Sequence, residues 1–370
     1  MQDMKRIGIF VFYDPNGIFD GYIEYLLDSL KPYIQKLVIV VNEPILAESL
    51  AILKNFSEYI FVRKNVGYDG GAYKDAILGY LKDEKWQLWD ELILMNDTFY
   101  GPLYSWSEIF DKMDREKVDF WGLSKHLGGT INSINGGKPF PSHIQSYFIA
   151  CRKPLFLNLC FSDFWKALKY TKTHSECVEN FEINFSYFFQ NKGFISKSYI
   201  DIANPNFQLR YNEIVYMDRA FELLQEVRFP VVKRTALSFL QWDKMKEILA
   251  YVKENTNYDI ELIMENWERR NGLYFGALEN FYNMHRRIYI YGYGVYGKAL
   301  ARYFISKEWK FESYIVTEND DTMQEVKNFR DIEFDIQDGV ILALGKKNLE
   351  EVYPIVKRCL FDSQIFCLLR

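Results

Sequence analysis

Residues Arg63 to Leu103, RKNVGYDGGAYKDAILGYLKDEKWQLWDELILMNDTFYGPL, hold two polar signatures separated by one helical and one strand pattern. The first, Asn65-Val66-Gly67-Tyr68-Asp69-Gly70-Gly71, sets glycines among an amide, a phenol and a carboxylate where a helix over about Gly71 to Leu81 is expected to begin. Glycine permits positive φ and close backbone approach, and a helix N-terminus presents unpaired N–H groups to an anion. The second, Asn96-Asp97-Thr98 followed by Gly101-Pro102, stands at the C-terminal end of an apolar run, Leu92 to Met95, that reads as a strand. Open α/β sheets bind their ligands beyond that end of the strands. Two polar clusters converging there predict a site for a nucleotide or another phosphorylated ligand.

Upstream, Arg6 to Tyr13 is a continuous apolar run that reads as a buried parallel strand closing on the turn Asp14-Pro15-Asn16-Gly17. A helical pattern over Tyr22 to Leu30, a strand over Lys36 to Val41 ending at Asn42, a helix over Leu46 to Asn55 and a strand over Tyr59 to Val62 follow. This β–α–β–α–β order predicts an α/β fold, a mostly parallel sheet with helices on its faces. Asp14 and Asn42 end the first two strands and so face the same crevice, although turns also hold Asp and Asn for local reasons.

Downstream, a helix is expected over Ser105 to Arg115 and a strand over Asp119 to Gly122. His126 to His143, HLGGTINSINGGKPFPSH, has no periodicity and reads as a mobile lid, since loops of that length in a compact domain are usually functional or disordered. A strand over Gln145 to Ala150 and helices over Leu155 to Tyr170 and Glu176 to Gly193 come next, then a stretch of mixed pattern, Asn206 to Ala220. Residues 235 to 285 are helical in pattern and charged. From residue 286 the text returns to strand, glycine turn and helix. The expected organisation is a domain over 1–235, a helical connector over 236–285 and a small Rossmann-like domain over 286–370.

Composition narrows the class. At 370 residues, 49% hydrophobic and 26% charged, the chain is globular and long enough for more than one domain. A net charge of −5 argues against a general nucleic-acid binder. The five cysteines show no CxxC spacing and read as buried thiols of a reducing compartment. The N-terminus enters a strand with no leader pattern, and the apolar runs are too short to span a bilayer, so a cytosolic protein is expected. No HExxH or GxSxG motif is present.

The pair NxGxDGGAYK and NDTxxGP resembles the rhamnan synthesis protein F family, over roughly residues 5 to 235. That resemblance implies a GT-A-like, Rossmann-related glycosyltransferase of cell-wall or capsular polysaccharide. It implies a nucleoside diphosphate sugar as donor, with L-rhamnose or another hexose transferred with inversion to a glycan or lipid-linked acceptor, and hence work at the inner membrane face. Asn65, Gly67, Asp69, Gly71 and Asn96 would shape the donor pocket. Asp97 would ligate a Mg2+ or Mn2+ ion on the donor pyrophosphate, since such ions take one or two carboxylates plus phosphate oxygens. The wider class carries Asp-x-Asp where this chain reads Met95-Asn96-Asp97, so one carboxylate is missing, and a plain strand-end turn is the alternative. Related inverting transferases open a helix with an acidic pair about a dozen residues before a glycine. Counting back from Gly193 points to Glu182 as the base, with Glu179 as substitute. His143, Gln145, Ser146 and Tyr147 resemble the acceptor-side segment, and Phe229 to Arg234 resembles the proline-basic segment that closes the transferase region.

Gly292, Gly294 and Gly297 form a GxGxxG turn between a strand over Ile288 to Tyr291 and a helix over Lys298 to Ser306, with Glu318 about twenty residues on. Strands over Tyr314 to Thr317, Val340 to Leu344 and Gln364 to Leu368 complete the unit. It holds only half of a full dinucleotide domain, which leaves a bound nucleotide and a structural module both open. Two rival functions follow: an NAD(P)-dependent oxidoreductase or epimerase using this turn, and a non-catalytic glycan-assembly scaffold, for which the single acid at Asn96-Asp97 is the motive.

Overall fold

A parallel sheet buries both faces only when helices cover them, and its strands then read as apolar runs. The computed structural model has such a sheet, and describes residues 4–129, 139–200, 215–272, 275–318 and 325–369. Residues 130–138 of the expected lid and 201–214, in and beside the mixed stretch, lie outside the described residues. Two compact units emerge, Met1–Ala236 with Tyr251–Asp259, and Leu237–Ala250 with Ile260–Arg370.

In the first unit β1 (Arg6–Phe12), β2 (Lys36–Asn42), β3 (Tyr59–Arg63) and β4 (Glu91–Asn96) run parallel. With β5 (Phe99–Tyr100) outside the main sheet, β6 (Phe120–Gly122), β9 (Phe148–Arg152) and β10 (Ser196–Ser198) extend it to the order β10-β6-β9-β4-β1-β2-β3. Strand β9 is antiparallel to both its neighbours. All seven residues of β1 and all six of β4 are buried, as central strands require. Successive side chains face opposite ways. Ile7, Ile9, Val11, Val40 and Leu94 join one core with Tyr73 and Ala76, Phe164 and Trp165, and Phe181 and Phe185. Helices α1 (Gly21–Leu30) and α4 (Trp106–Met113) bury their apolar stripes, and Trp106 stacks on Phe148 of β9 with centroids 5.4 Å apart. The sheet is therefore the mostly parallel α/β arrangement that the alternation predicts.

At the foot of β4, opposite the strand end that carries Asn96, Glu91 is fully buried. Its carboxylate meets Arg6 Nε at 2.7 Å and Arg152 Nε at 3.1 Å, and accepts the Trp121 indole N–H at 2.7 Å. Arg6 also reaches Asp114 at 2.6 Å.

Several boundaries differ from expectation for local reasons. The single helix expected over Leu155 to Tyr170 is two, Lys153–Phe156 and Leu159–Ala167, because Asn158 caps the second by accepting from Cys160 N at 3.0 Å. The strand expected over Gln145 to Ala150 begins at Phe148, while β8 (His143–Ile144) pairs with β7 (Lys125–His126) as the base of a hairpin. Thr173 and Glu176 form a capping box that starts the next helix at His174, and that helix widens into a π turn over Val178–Ile183 before Asn184–Asn191. Of the five cysteines, Cys151 and Cys177 are buried, Cys160 and Cys367 partly so, and Cys359 is exposed.

The second unit has helices Ile260–Asn271 and Phe275–Met284 and a parallel sheet of order β14-β13-β12-β15-β16, formed by β12 (Arg287–Tyr291), β13 (Ser313–Val316), β14 (Val326–Asn328), β15 (Asp338–Leu342) and β16 (Ile365–Cys367). After β12 the chain turns at Gly292, φ +111°, into a helix over Val295–Ser306. A Cβ on Gly297 would stand 1.8 Å from the Gly292 carbonyl oxygen, so the turn closes only on glycine. Gly297→Ala should lower the unfolding free energy by about 1–3 kcal/mol in urea titration. Gly294→Ala, whose added carbon meets nothing within 4 Å, should cost less. Among the described residues no helix is long and apolar enough to cross a membrane.

Candidate functional site

Beyond the C-terminal ends of β1, β2 and β4 lies a cavity of about 500 Å³, lined by residues of the first unit alone. One wall of it begins where β3 ends. Arg63 fans its guanidinium across three partners, the Asn42 Oδ1 at 2.6 Å, the Val66 carbonyl at 2.7 Å and Asp75 at 2.7 Å. This ties the end of β2 to the loop and to helix α3 (Tyr68–Asp75). Gly67, φ +78°, and Tyr68, φ +54°, turn the chain through the left-handed region into that helix. A Cβ on Gly71 would lie 2.4 Å from the Val66 carbonyl oxygen, which is why the loop can fold so tightly on the helix. Asp69 is thereby aimed into the cavity. It accepts from Gly70 N at 3.0 Å, Cys177 Sγ at 3.3 Å and Asn96 Nδ2 at 3.0 Å. Burial raises its pKa, as does the charge of Glu182, against the pull of those hydrogen bonds. The Asn96–Asp69 bond joins the two sequence signatures.

The turn after β4 is held from below. β11 (Val232–Lys233) pairs antiparallel with β5, which sets Lys233 opposite Phe99. Lys233 Nζ donates to Thr98 Oγ1 at 2.6 Å and sits 4.2 Å over the Tyr147 ring. Thr98 in turn donates to Asn96 Oδ1 at 2.7 Å. Arg234 lies 3.6 Å from Asp97 Oδ2 and donates to the Tyr22 hydroxyl at 2.6 Å, which donates to the Asp97 carbonyl at 2.8 Å. Burial pushes the Lys233 ammonium down to about 7, with Arg234 adding to the fall and Glu182 opposing it.

The far wall comes from the β7–β8 hairpin and the π turn. His126 and His143 stack with centroids 5.4 Å apart. His143 Nδ1 donates to the Pro141 carbonyl at 3.0 Å, and its Nε2 is 3.3 Å from Glu182 Oε1. Glu182 Oε2 accepts from the Ser146 backbone N–H at 2.9 Å and from its hydroxyl. Burial alone would raise the Glu182 pKa, but His143 and Ser146 outweigh it and hold the carboxyl at about 2. Gln145, Ser124 and Tyr147 form a hydrogen-bonded row behind it. Among the described residues, two buried atoms of the lining have no partner: Asn65 Oδ1 and His126 Nε2. Since His126 Nδ1 accepts from Gly128 N at 3.0 Å, Nε2 carries the ring proton. Burial and the neighbouring His143 push His126 down to about 4, so the ring is neutral near pH 7. The cavity thus offers one orphan acceptor and one orphan donor to a ligand.

A sequence profile described as Rhamnan synthesis protein F matches residues 37–289. The chain belongs to the rhamnan synthesis protein F family. A similar protein is y4gN of Sinorhizobium fredii, described as uncharacterized, which is 28% identical over 193 residues, 51% of this chain and 46% of that protein. The matched span is thus about half the length of that curated relative. Similar solved structures include a cytidylyltransferase from Leptospira borgpetersenii, at 15% identity and a TM-score of 0.33 over 69% of this chain and 100% of that one. Another is the mannosyltransferase Ktr4p of S. cerevisiae, at 9% identity and a TM-score of 0.28 over 44% of this chain and 59% of that one.

Of the residues that the family resemblance and the strand ends single out, Asn42, Asn65, Asp69, Asn96, Asp97, His143, Gln145, Ser146, Tyr147 and Glu182 line the cavity. Gly67 and Gly71 shape its wall from behind. Asp14 is not in the lining; its carboxylate caps its own turn, accepting from Asn16 N at 2.9 Å and Ile18 N at 3.2 Å. Glu179 is exposed and outside the lining, because the π turn's i→i+5 spacing rotates it off the face that Glu182 occupies. Gly292, Gly294, Gly297 and Glu318 belong to the other unit, and Glu318 is exposed. Sequence reasoning did not single out His126, Cys177, Tyr216 or the pair Lys233 and Arg234 as site residues. The signal for the pair was the basic dipeptide closing the family's proline-basic segment.

Among the described residues no group of three or more His, Cys, Asp or Glu side chains could hold an ion. Asp69 spends its oxygens on three donors and Asp97 is ion-paired with Arg234.

Proposed function

We propose that this chain is a glycosyltransferase that moves a sugar from a nucleoside diphosphate sugar to a hydroxyl of a growing glycan. The observation that carries the reading is the division of one crevice into a cationic side, at the strand end where Lys233 and Arg234 meet the Asn96–Thr98 turn, and an anionic side, where Glu182 is held ionised. A diphosphate fits the first and an acceptor hydroxyl the second.

The acceptor oxygen attacks the anomeric carbon while the bond from that carbon to the diphosphate oxygen breaks, leaving its electron pair on the diphosphate. The hydroxyl proton passes to Glu182. Attack from the face opposite the leaving group inverts the anomeric centre. Asn65 Oδ1 would take a hydroxyl or N–H of the donor, and His126 Nε2–H would donate to an oxygen of either sugar. The family supports L-rhamnose, from dTDP-rhamnose, as the sugar, and a cell-wall or capsular polysaccharide on a lipid carrier as acceptor, with the enzyme at the cytoplasmic membrane face.

A thermal-shift series against dTDP, UDP, GDP and NAD(P), each with and without Mn2+, tests the donor class. At a hundredfold excess over Kd, a nucleoside diphosphate should stabilise the protein by about 2.7 kcal/mol. Stabilisation by NAD(P) alone would move the active centre to Gly292–Gly297 and overturn the proposal.

A further inference from the structure

We infer that Lys233 and Arg234 form a cationic diphosphate subsite that stands in for a divalent metal ion, so that the donor binds and reacts without one. The inference rests on the glycosyltransferase reading and names how its donor site is built.

Three observations carry it. The position where the wider class holds its first acid is Asn96, and that side chain is committed at both ends: Nδ2 donates to Asp69 and Oδ1 accepts from the Thr98 N–H at 3.2 Å and its hydroxyl at 2.7 Å. It has no carboxylate to offer an ion. The second acid, Asp97, lies 3.6 Å from the Arg234 guanidinium, whose side chain is only 15% exposed. A divalent ion at that oxygen would be forced beside a fixed positive charge in a site of low polarity, where like charges repel strongly. Lys233 is the third. Its ammonium has three donors, yet among the described residues it makes one hydrogen bond, to Thr98, and no carboxylate lies within ion-pair distance of it. The charge of Glu182 acts on it only from further away. An amine held in a cavity wall with its pKa at about 7, with spare donors and no contact anion, is a receptor for an anion whose arrival favours its charged form, and the β11–β5 pairing keeps it in place before the anion arrives. As the anomeric bond breaks, the negative charge gathered on the departing diphosphate falls between two preplaced cations.

The experiment is calorimetric titration of the full chain with whichever of dTDP, UDP or GDP stabilises it, in a chelating buffer and again in Mn2+, together with donor turnover read as nucleoside diphosphate release. Wild-type Kd and turnover should agree within about threefold between the two buffers. Lys233→Gln should weaken binding by about 10–100-fold, the size of a lost charge-assisted contact, with no recovery in Mn2+. Arg234→Ala takes the guanidinium away from Asp97, so its weakened binding should recover in Mn2+; Arg234→Lys keeps the charge, and with it the indifference to Mn2+, should the alanine variant misfold. Wild-type binding or turnover that collapses in chelator and returns with Mn2+ overturns the inference while leaving the glycosyltransferase reading intact. Failure of every nucleoside diphosphate to bind overturns that reading and the subsite with it.

Discussion

Replacing Glu182 by glutamine is expected to lower turnover by about 10²–10⁴-fold, the usual contribution of a positioned proton acceptor, while nucleoside diphosphate affinity stays within about threefold. Glutamine keeps the shape and can still accept from Ser146 N, which donates to the native carboxylate at 2.9 Å, but it has no charge to take a proton. Donor affinity is the control because, on the proposed reading, the diphosphate meets the opposite wall. The pH dependence has a definite sign. His143 and Ser146 hold the carboxyl near 2, below the usual unfolded value of about 4.3, so the site's contribution to stability is fully present above the unfolded pKa and is lost as pH falls toward 2. The carboxylate is therefore ionised throughout a normal assay range, and an acidic limb in the rate above pH 5 would have to come from another group. A carboxylate this weakly basic can take a proton only once the forming oxygen–carbon bond acidifies the hydroxyl, which is the step proposed for Glu182. A Glu182→Gln protein that turns over at the native rate would remove Glu182 from the mechanism.

How much of this was legible in the sequence depends on how far each fact reaches along the chain. Apolar runs alternating with amphipathic stretches announce β1 to β4 because burial of both sheet faces leaves that pattern in consecutive residues. Asp69, Asn96 and Asp97 were legible for the same reason: each sits at an element end, and the fold brings strand ends together. The helix Lys346–Lys357 was not anticipated, since its text is charged and carries Pro354. Lys233 was unreadable as a site residue because its place is fixed by pairing with a strand over a hundred residues earlier. His126 depends likewise on the register in which β7 pairs with β8. For Asp14 the local need of a turn prevailed over the crevice. Glu179 and Glu182 could be told apart only once the helix was seen to widen, since an ordinary helix keeps residues three apart on one face.

Glu91 shows the opposite case, a residue silent in sequence whose loss should unfold the protein most readily. A carboxylate at the head of an apolar run reads as the solvent edge of a strand, yet this one is fully buried. Glu91→Ala is expected to lower the unfolding free energy by about 3–5 kcal/mol, the cost of stranding buried charge by removing one partner. Two guanidiniums are stranded, those of Arg6 and Arg152, which are 5% and 8% exposed. Arg6 retains Asp114 at 2.6 Å, but Arg152 keeps that carboxylate only at 3.5 Å. The Trp121 indole N–H also loses its acceptor. A Glu91→Gln variant separates charge from shape: its one amide oxygen can accept from Trp121, which donates to Oε1, or from Arg6, which donates to Oε2, but not from both, so it should fall between the wild type and Glu91→Ala. Urea unfolding of the three proteins, with nucleoside diphosphate binding measured under native conditions, reads both consequences. Glu91 stands at the opposite end of β4 from Asn96, so affinity should hold while stability falls. Equal stability of Glu91→Ala and wild type would mean that the two arginines find water or each other's partners without cost, and the cluster would then be a desolvated ornament of the sheet rather than what fixes its central strands in register.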